Sequence, residues 1–310
     1  MRLFFLFFGQ HIFGRICCVL TCFYFFMLCS AVCAFDVWFV DTRRGFEINQ
    51  LDNNSKWNRS TLNEFQQSHN PNIPLVIVTH GYKMTYDEAK QFGINFSKLT
   101  HNFGEHRFLF WSWDAEKENC GIKSDAINTG KKADAESKYL TNFLKQLKPQ
   151  SKVSLIGFSY GARLISAAIQ NLATEQLQQL KQNTNNKNKI TTNLNIRIVF
   201  LAAAVDQDQF EQNKKYGNLL QITDKLLVNI NAADPALLLY PLLTGIKSPK
   251  AAGRYGINTT KIHPKLASKI KSLNVRPDIG IDHTFISSFC AFLKYKNEVK
   301  KYALFNDAAK

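Results

Sequence analysis

Between residues 75 and 230 the chain alternates between two hydrophobic patterns. Leu75 to Thr79, Phe108 to Trp113, Val153 to Ile156, Ile196 to Ala204 and Leu226 to Ile230 are nearly unbroken apolar runs. Runs this short and this continuous read as strands covered on both faces. Between them the apolar residues recur every three or four positions. Asp87 to Leu99 and Ala133 to Leu147 read as amphipathic helices, the second with Tyr139, Leu140, Phe143 and Leu147 on one face. A third helix follows Val153 to Ile156 and carries Ala162, Ile165, Ile169 and Leu172 on its apolar face. Strands alternating with helices imply an α/β fold, a mostly parallel central sheet with helices on both faces.

The flanks are less regular. Asp36 to Asp41 (DVWFVD) is apolar between acidic ends and reads as a half-buried edge strand, followed by a turn and a second extended piece at Phe46 to Ile48. Residues 52 to 72, rich in Asn, Ser and Gln, read as a polar connection, and residues 176 to 195 as an extended helix end with a surface loop. Leu237 to Leu243 is a short apolar segment, Ser272 to Val275 a short extended piece, and Ile286, Phe289 and Leu293 mark a closing helix.

The strongest chemical signal lies where Val153 to Ile156 meets its helix, at Gly157-Phe158-Ser159-Tyr160-Gly161. A serine at the apex of a strand-to-helix turn projects its hydroxyl above the sheet edge, and its flanking glycines avoid collisions of a Cβ with neighbouring backbone. Such a nucleophile elbow needs a base, and the base needs an acid to fix its tautomer. In folds with this turn the carboxylate follows the serine and the histidine comes last. Only His263 and His283 follow Ser159. His263 precedes a proline in a Lys-rich connection, whereas His283 sits in the last loop before the closing helix and is the candidate base. Asp234 is the preferred acid and Asp206 the alternative, because each closes an apolar run after the serine. Pro235 fixes the backbone after Asp234, while Asp208 beside Asp206 suggests a solvated or capping loop. Asp282 is set aside, since neighbours on one loop seldom face each other. The oxyanion of an acyl transfer needs preset donors. The backbone amides of Tyr160, opening the elbow helix, and of Tyr82, after His80-Gly81, are the candidates. His80 reads as a brace for its loop. Neither a cofactor nor a metal ion is expected in this chemistry.

Residues 16 to 34 carry no charge, follow Arg2 and Arg15, and end in small residues, Ser30-Ala31-Val32-Cys33-Ala34. A basic start, an apolar middle and a small-residue end fit a signal peptide cut after Ala34. The stretch is also long enough to remain as a membrane anchor. Either way residues 35 to 310 form one domain placed outside the cytoplasm, periplasmic or secreted, with membrane association through residues 16 to 34 in the second case. Of seven cysteines only Cys120 and Cys290 lie beyond this segment, as one disulfide or two thiols. The net charge of +15 comes from scattered lysines without a nucleic-acid module, so no nucleic-acid partner is expected.

Five segments in order carry a family likeness: HGYKMTYDEA (His80 to Ala89), Trp111 to Trp113, GFSYGAR (Gly157 to Arg163), FLAAAVDQDQF (Phe200 to Phe210) and DPALLLYPLL (Asp234 to Leu243). Together they resemble a bacterial branch of the alpha/beta-hydrolase superfamily of unknown function, and the elbow resembles that of lipases. The resemblance covers roughly residues 36 to 297. It implies the hydrolase fold and a Ser, Asp, His triad, and it names no substrate. The functional expectation is an exported serine esterase or lipase-like enzyme acting on a small or lipid-like ester. The competing expectation is a binding or interaction protein that keeps the scaffold without turnover.

Overall fold

A computed structural model describes residues 36–100, 103–182, 194–244 and 250–307. The N-terminal stretch expected to direct export, and most of the Gln- and Asn-rich stretch expected as a surface loop, lie outside the described residues. Among the described residues nine strands form one sheet, in the order β3-β2-β1-β5-β4-β6-β7-β8-β9. They are β1 Val37–Asp41, β2 Glu47–Leu51, β3 Trp57–Ser60, β4 Leu75–Thr79, β5 Arg107–Ser112, β6 Lys152–Phe158, β7 Asn195–Leu201, β8 Thr223–Ile230 and β9 Ile270–Asn274. Along that order every pairing from β1 to β9 is parallel, and the two antiparallel pairings, β1 with β2 and β2 with β3, lie at one edge, where β2 alone runs against the other strands. The fold is thus the mostly parallel α/β sheet that the alternating patterns predict. Its apolar runs match: all residues of β4 and β5 are buried, as are all of β6 and β7 except the first of each.

β1 corrects the expectation of a half-buried edge strand. It pairs with β2 on one side and β5 on the other, and all five of its residues are buried. The acidic ends that suggested exposure are instead neutralised within the fold. Asp36 receives the Arg107 guanidinium, and Asp41 receives Arg43. Residues 52 to 72 also hold more structure than a polar connection. β3 lies there, as does the helix Leu62–Ser68, with Thr61 and Glu64 forming a capping box and Phe65 its single buried residue. One apolar anchor gives no periodicity to read, and the spacing Thr61-x-x-Glu64 is the local signal that would have found the helix.

The helix expected at Ala133 to Leu147 is Ile122–Lys145. Its first turns bury Asp125, Ala126, Thr129 and Gly130, small or polar side chains that hydrophobic spacing does not detect. Tyr139, placed on the apolar face by sequence, is about half exposed, because the buried stripe runs through Ala133, Ser137, Leu140 and Leu144 and leaves position 139 at its margin. This helix lies along the elbow helix, Tyr160–Gln182. Thr141 Oγ1 donates to Ala168 O (3.0 Å), and Arg163 reaches Asp134 through Nε (3.1 Å) and Nη2 (2.7 Å). The closing helix is Phe285–Lys294; Phe289 is buried as expected, whereas Ile286 is 48% exposed. Cys120 and Cys290 are not joined by a disulfide.

Within this packing Glu136 is a buried carboxyl. Thr42 Oγ1 (2.7 Å) and Trp111 Nε1 (3.0 Å) both donate to its Oε1, and burial pushes its pKa up from 4.5 to about 7. The folded state therefore holds this proton more tightly than the unfolded chain. The stability the group contributes is fully present at low pH and is lost as pH rises through about 7. Glu136→Gln, which keeps an acceptor oxygen and removes the ionisation, is expected to gain stability relative to the wild type between pH 5 and pH 8. The gain is on the order of 1–3 kcal/mol. Denaturant unfolding of both proteins at the two pH values checks it. An unchanged difference would place the proton elsewhere.

Candidate active site

Parallel strands all end at the same sheet edge, so the loops after β4, β6, β8 and β9 converge there although up to 200 residues separate them. Ser159 directly follows β6 with φ +52°, a left-handed conformation that a residue with a Cβ adopts only when its surroundings hold it. The holding contacts are backbone. Ser159 N–H donates to Leu201 O (2.9 Å), and its carbonyl accepts from Ala162 N–H (3.1 Å) and Ala204 N–H (3.1 Å). The two glycines of the turn are there for want of space. A Cβ on Gly157 would lie 2.7 Å from the backbone N and Cα of Ala162, and one on Gly161 would lie 2.6 Å from the carbonyl oxygens of Thr79 and His80.

Beside Ser159 stands His283, from the loop after β9. Its Nε2 is 3.4 Å from Ser159 Oγ, and its Nδ1 is 2.5 Å from Asp234 Oδ2. Asp234 follows β8 and is fully buried. Its other oxygen accepts from Leu237 N–H (3.0 Å), capping the helix Pro235–Leu238, and its carbonyl accepts from Arg254 Nη1 (2.9 Å). The carboxylate is thus oriented by its own helix before it meets the imidazole. The ring of Phe158 lies 5.3 Å from that of His283 and 5.0 Å from that of Phe285, so an apolar wall backs the imidazole.

A family model described as "Alpha/beta hydrolase of unknown function (DUF900)" matches residues 55–247. The chain belongs to this alpha/beta-hydrolase family. The matched span holds Tyr82, Ser159, Tyr160, Asp206 and Asp234 and ends before His283. A comparison with curated proteins found no match.

The other sequence candidates divide by geometry. In this family member Asp206 is not what His283 meets. Its Oδ1 accepts from Asp208 N–H (3.2 Å), it forms an isolated bridge with Ala251, and burial raises its pKa. His263 is exposed and caps a short helix, with Nδ1 accepting from Lys265 N–H (3.3 Å). Asp282 accepts from the hydroxyls of Thr284 (3.2 Å) and Ser287 (2.6 Å). His80 is the brace expected of it. Fully buried, it donates from Nδ1 to Gly81 O (2.8 Å) and accepts at Nε2 from Trp113 N–H (3.2 Å), and desolvation pushes its pKa down to about 3. Those two partners fix the neutral ring in one tautomer.

The loop after β4 lies against the serine. A Cβ on Gly81 would come within 2.8 Å of Ser159 Cβ, so a glycine is required for the approach. The amides of Tyr82 and Tyr160 flank this contact, and among the described residues no acceptor takes either of them. Sequence reading missed what fixes the loop. Arg43 Nη2 donates to Met84 O (2.8 Å) while its Nη1 holds Asp41 and Ser112, Lys83 N–H donates to Ala115 O (2.8 Å), and Tyr82 Oη donates to Asp125 Oδ2 (3.1 Å). Burial, then Asp125, raises the Tyr82 phenol to about 12, so it remains a donor at neutral pH. Apart from Arg43 with Asp41, these contacts join residues 32 or more positions apart, and nothing local in the sequence signals them. Among the described residues no group of three or more His, Cys, Asp and Glu side chains is arranged to hold a metal ion.

Proposed function

We propose that this protein is a serine hydrolase that cleaves esters through an acyl-enzyme intermediate, with Ser159 as nucleophile, His283 as general base and Asp234 as its orienting acid. The observation that carries the reading is the continuous contact Ser159 Oγ, His283 Nε2, His283 Nδ1, Asp234 Oδ2. With Nδ1–H donating to the carboxylate, Nε2 keeps its lone pair toward the serine. Ser159 Oγ attacks the ester carbonyl as its proton passes to Nε2. The carbonyl oxygen becomes an oxyanion that the amides of Tyr82 and Tyr160 receive. As the tetrahedral intermediate collapses, Nε2–H gives its proton to the departing alkoxide, leaving an acyl ester on Ser159. Water then repeats the sequence, with His283 taking its proton, and the acid is released. The left-handed serine and the 3.4 Å contact support this, since a small movement of either side chain closes a working hydrogen bond.

Fluorophosphonate should label the purified protein once per chain, and a panel of esters of graded acyl length should show turnover. A protein that is folded but inert to both would remove the reading and leave a scaffold used for binding. We further propose export, from the charge-free, small-ended stretch at residues 16 to 34. N-terminal sequencing of the extracytoplasmic form is expected to begin at Phe35, whereas a membrane-bound form beginning at Met1 would show a retained anchor.

A further inference from the structure

Nine large apolar side chains are exposed among the described residues, and six of them, Leu238, Leu239, Leu242, Tyr255, Ile281 and Ile286, belong to the three segments that carry Asp234, its partner Arg254 and His283. The placement is set by the chain. Leu238 lies one helical turn beyond Asp234, its N–H donating to Asp234 O (3.1 Å), and Leu239 and Leu242 continue into the helix Tyr240–Thr244. Tyr255 adjoins Arg254, whose guanidinium holds the same Asp234 carbonyl. Ile281 and Ile286 stand two residues before and three residues after His283.

The segment Asp234 to Leu243 contains more leucine than its packing uses. Leu237 is buried and Leu243 packs against the core, whereas Leu238, Leu239 and Leu242 face solvent, Leu242 at 69% exposure. Exposed apolar side chains scattered singly need no explanation, but a cluster at the mouth of a site marks a surface that something covers. Its borders are cationic. Lys250 lies over the Tyr255 ring (5.7 Å) with Arg254 (5.5 Å), and Lys83 lies over the Tyr82 ring (5.3 Å) on the loop that touches Ser159. Of the acids on the segment that carries His283, Asp278 is paired with Lys294 and Asp282 accepts from two hydroxyls, and the whole chain carries +15. Apolar side chains bordered by lysine and arginine suit a layer with acyl chains beneath anionic headgroups.

We infer that this leucine-rich collar docks the protein on an anionic lipid surface, with the mouth above Ser159 facing the acyl layer. The docking stands on the exposed residues alone; that the ester substrate is then drawn from that layer rests on the hydrolase reading above. The collar enters the boundary between headgroups and chains, and the bordering cations hold it there.

Tryptophan placement tests this in the full chain. Its four native tryptophans, 38, 57, 111 and 113, all lie beyond the N-terminal segment, and three of them are buried. Leu242→Trp reports the collar, and Asn53→Trp, in the turn between β2 and β3, reports the far edge of the sheet. Both are made in a Ser159→Ala background and mixed with phosphatidylglycerol vesicles whose acyl chains carry bromine. Because an interfacial residue sits about 5–10 Å into the boundary, position 242 is expected to lose roughly half of its added emission while position 53 loses none. The loss should shrink with phosphatidylcholine or with added salt. Equal emission at the two positions overturns the docking, even if the N-terminal segment carries the chain to the vesicle. A lipid-independent blue shift at 242 together with a dimer in sedimentation also overturns it, since a second copy would then be the occupant. The two readings fail separately. Quenching without ester turnover in the parent chain would leave the docking and remove the hydrolase, and turnover without quenching would do the reverse.

Discussion

Ser159→Ala is expected to abolish fluorophosphonate labelling and to lower ester turnover on the order of 10⁵-fold or more, while leaving the fold intact. The size follows from the division of labour at the site. Without Oγ no acyl-enzyme forms, and what remains is whatever the oxyanion donors and binding supply to attack by water. The fold survives because the substitution keeps the Cβ. Alanine occupies the same left-handed conformation, φ +52°, with the same backbone bonds to Leu201, Ala162 and Ala204. Serine and alanine bear similar strain there, so stability should change by no more than about 1 kcal/mol. The hydroxyl's contact is with His283 Nε2, and its loss opens no core cavity. Labelling and thermal unfolding of the two proteins, measured together, decide the matter. A variant that still takes up the probe would move the nucleophile to another residue.

Asp234→Asn should lower turnover by about 10⁴-fold, while Asp206→Asn stays within a few fold of the wild type. Asparagine keeps a side-chain oxygen able to accept from Leu237 N–H, so the cap on Pro235–Leu238 and the buried packing persist. What changes is the atom facing the imidazole. An amide NH₂ directed at His283 Nδ1 makes that nitrogen an acceptor, which moves the ring proton to Nε2 and removes the lone pair that would take the serine proton. Asp206 has no such position, since its carboxylate accepts from Asp208 N–H while its backbone is held in a bridge opposite Ala251. Steady-state rates on a soluble ester, with circular dichroism to confirm folding, separate the two. If the losses are exchanged, Asp206 is the acid and the contact at Asp234 is structural.

Much of the site was legible because it is built from local rules. Gly157 and Gly161 announced a turn too crowded for a Cβ, and the gaps of 2.6 to 2.7 Å to neighbouring backbone bear that out. The order serine, acid, histidine left His263 and His283, and the place of His283 in the last loop before the closing helix separated it from His263, which precedes a proline in a Lys-rich connection. Between Asp234 and Asp206 local reasoning offered only a preference, resting on Pro235. The contact with His283 depends on how β8 and the loop after β9 lie together, and strand spacing alone does not give that.

The apolar runs of β4 to β8 determined by themselves that the sheet would be mostly parallel and buried on both faces, because continuous burial leaves no polar face to solvate. They likewise fixed the elbow, since backbone crowding at a strand-to-helix turn is a property of a few adjacent residues. Only the tertiary structure decided the rest. β1 became an interior strand because Arg107 and Arg43, one of them 71 residues away from Asp36, neutralise its acidic ends. The loop bearing Tyr82 is held by Arg43 and Asp125, and three leucines after Asp234 are left in solvent while Leu237 and Tyr240 of the same segment are buried. Charge neutralisation, loop anchoring and surplus apolar surface each depend on partners brought together by folding, and a linear pattern carries the side chains without saying which will meet.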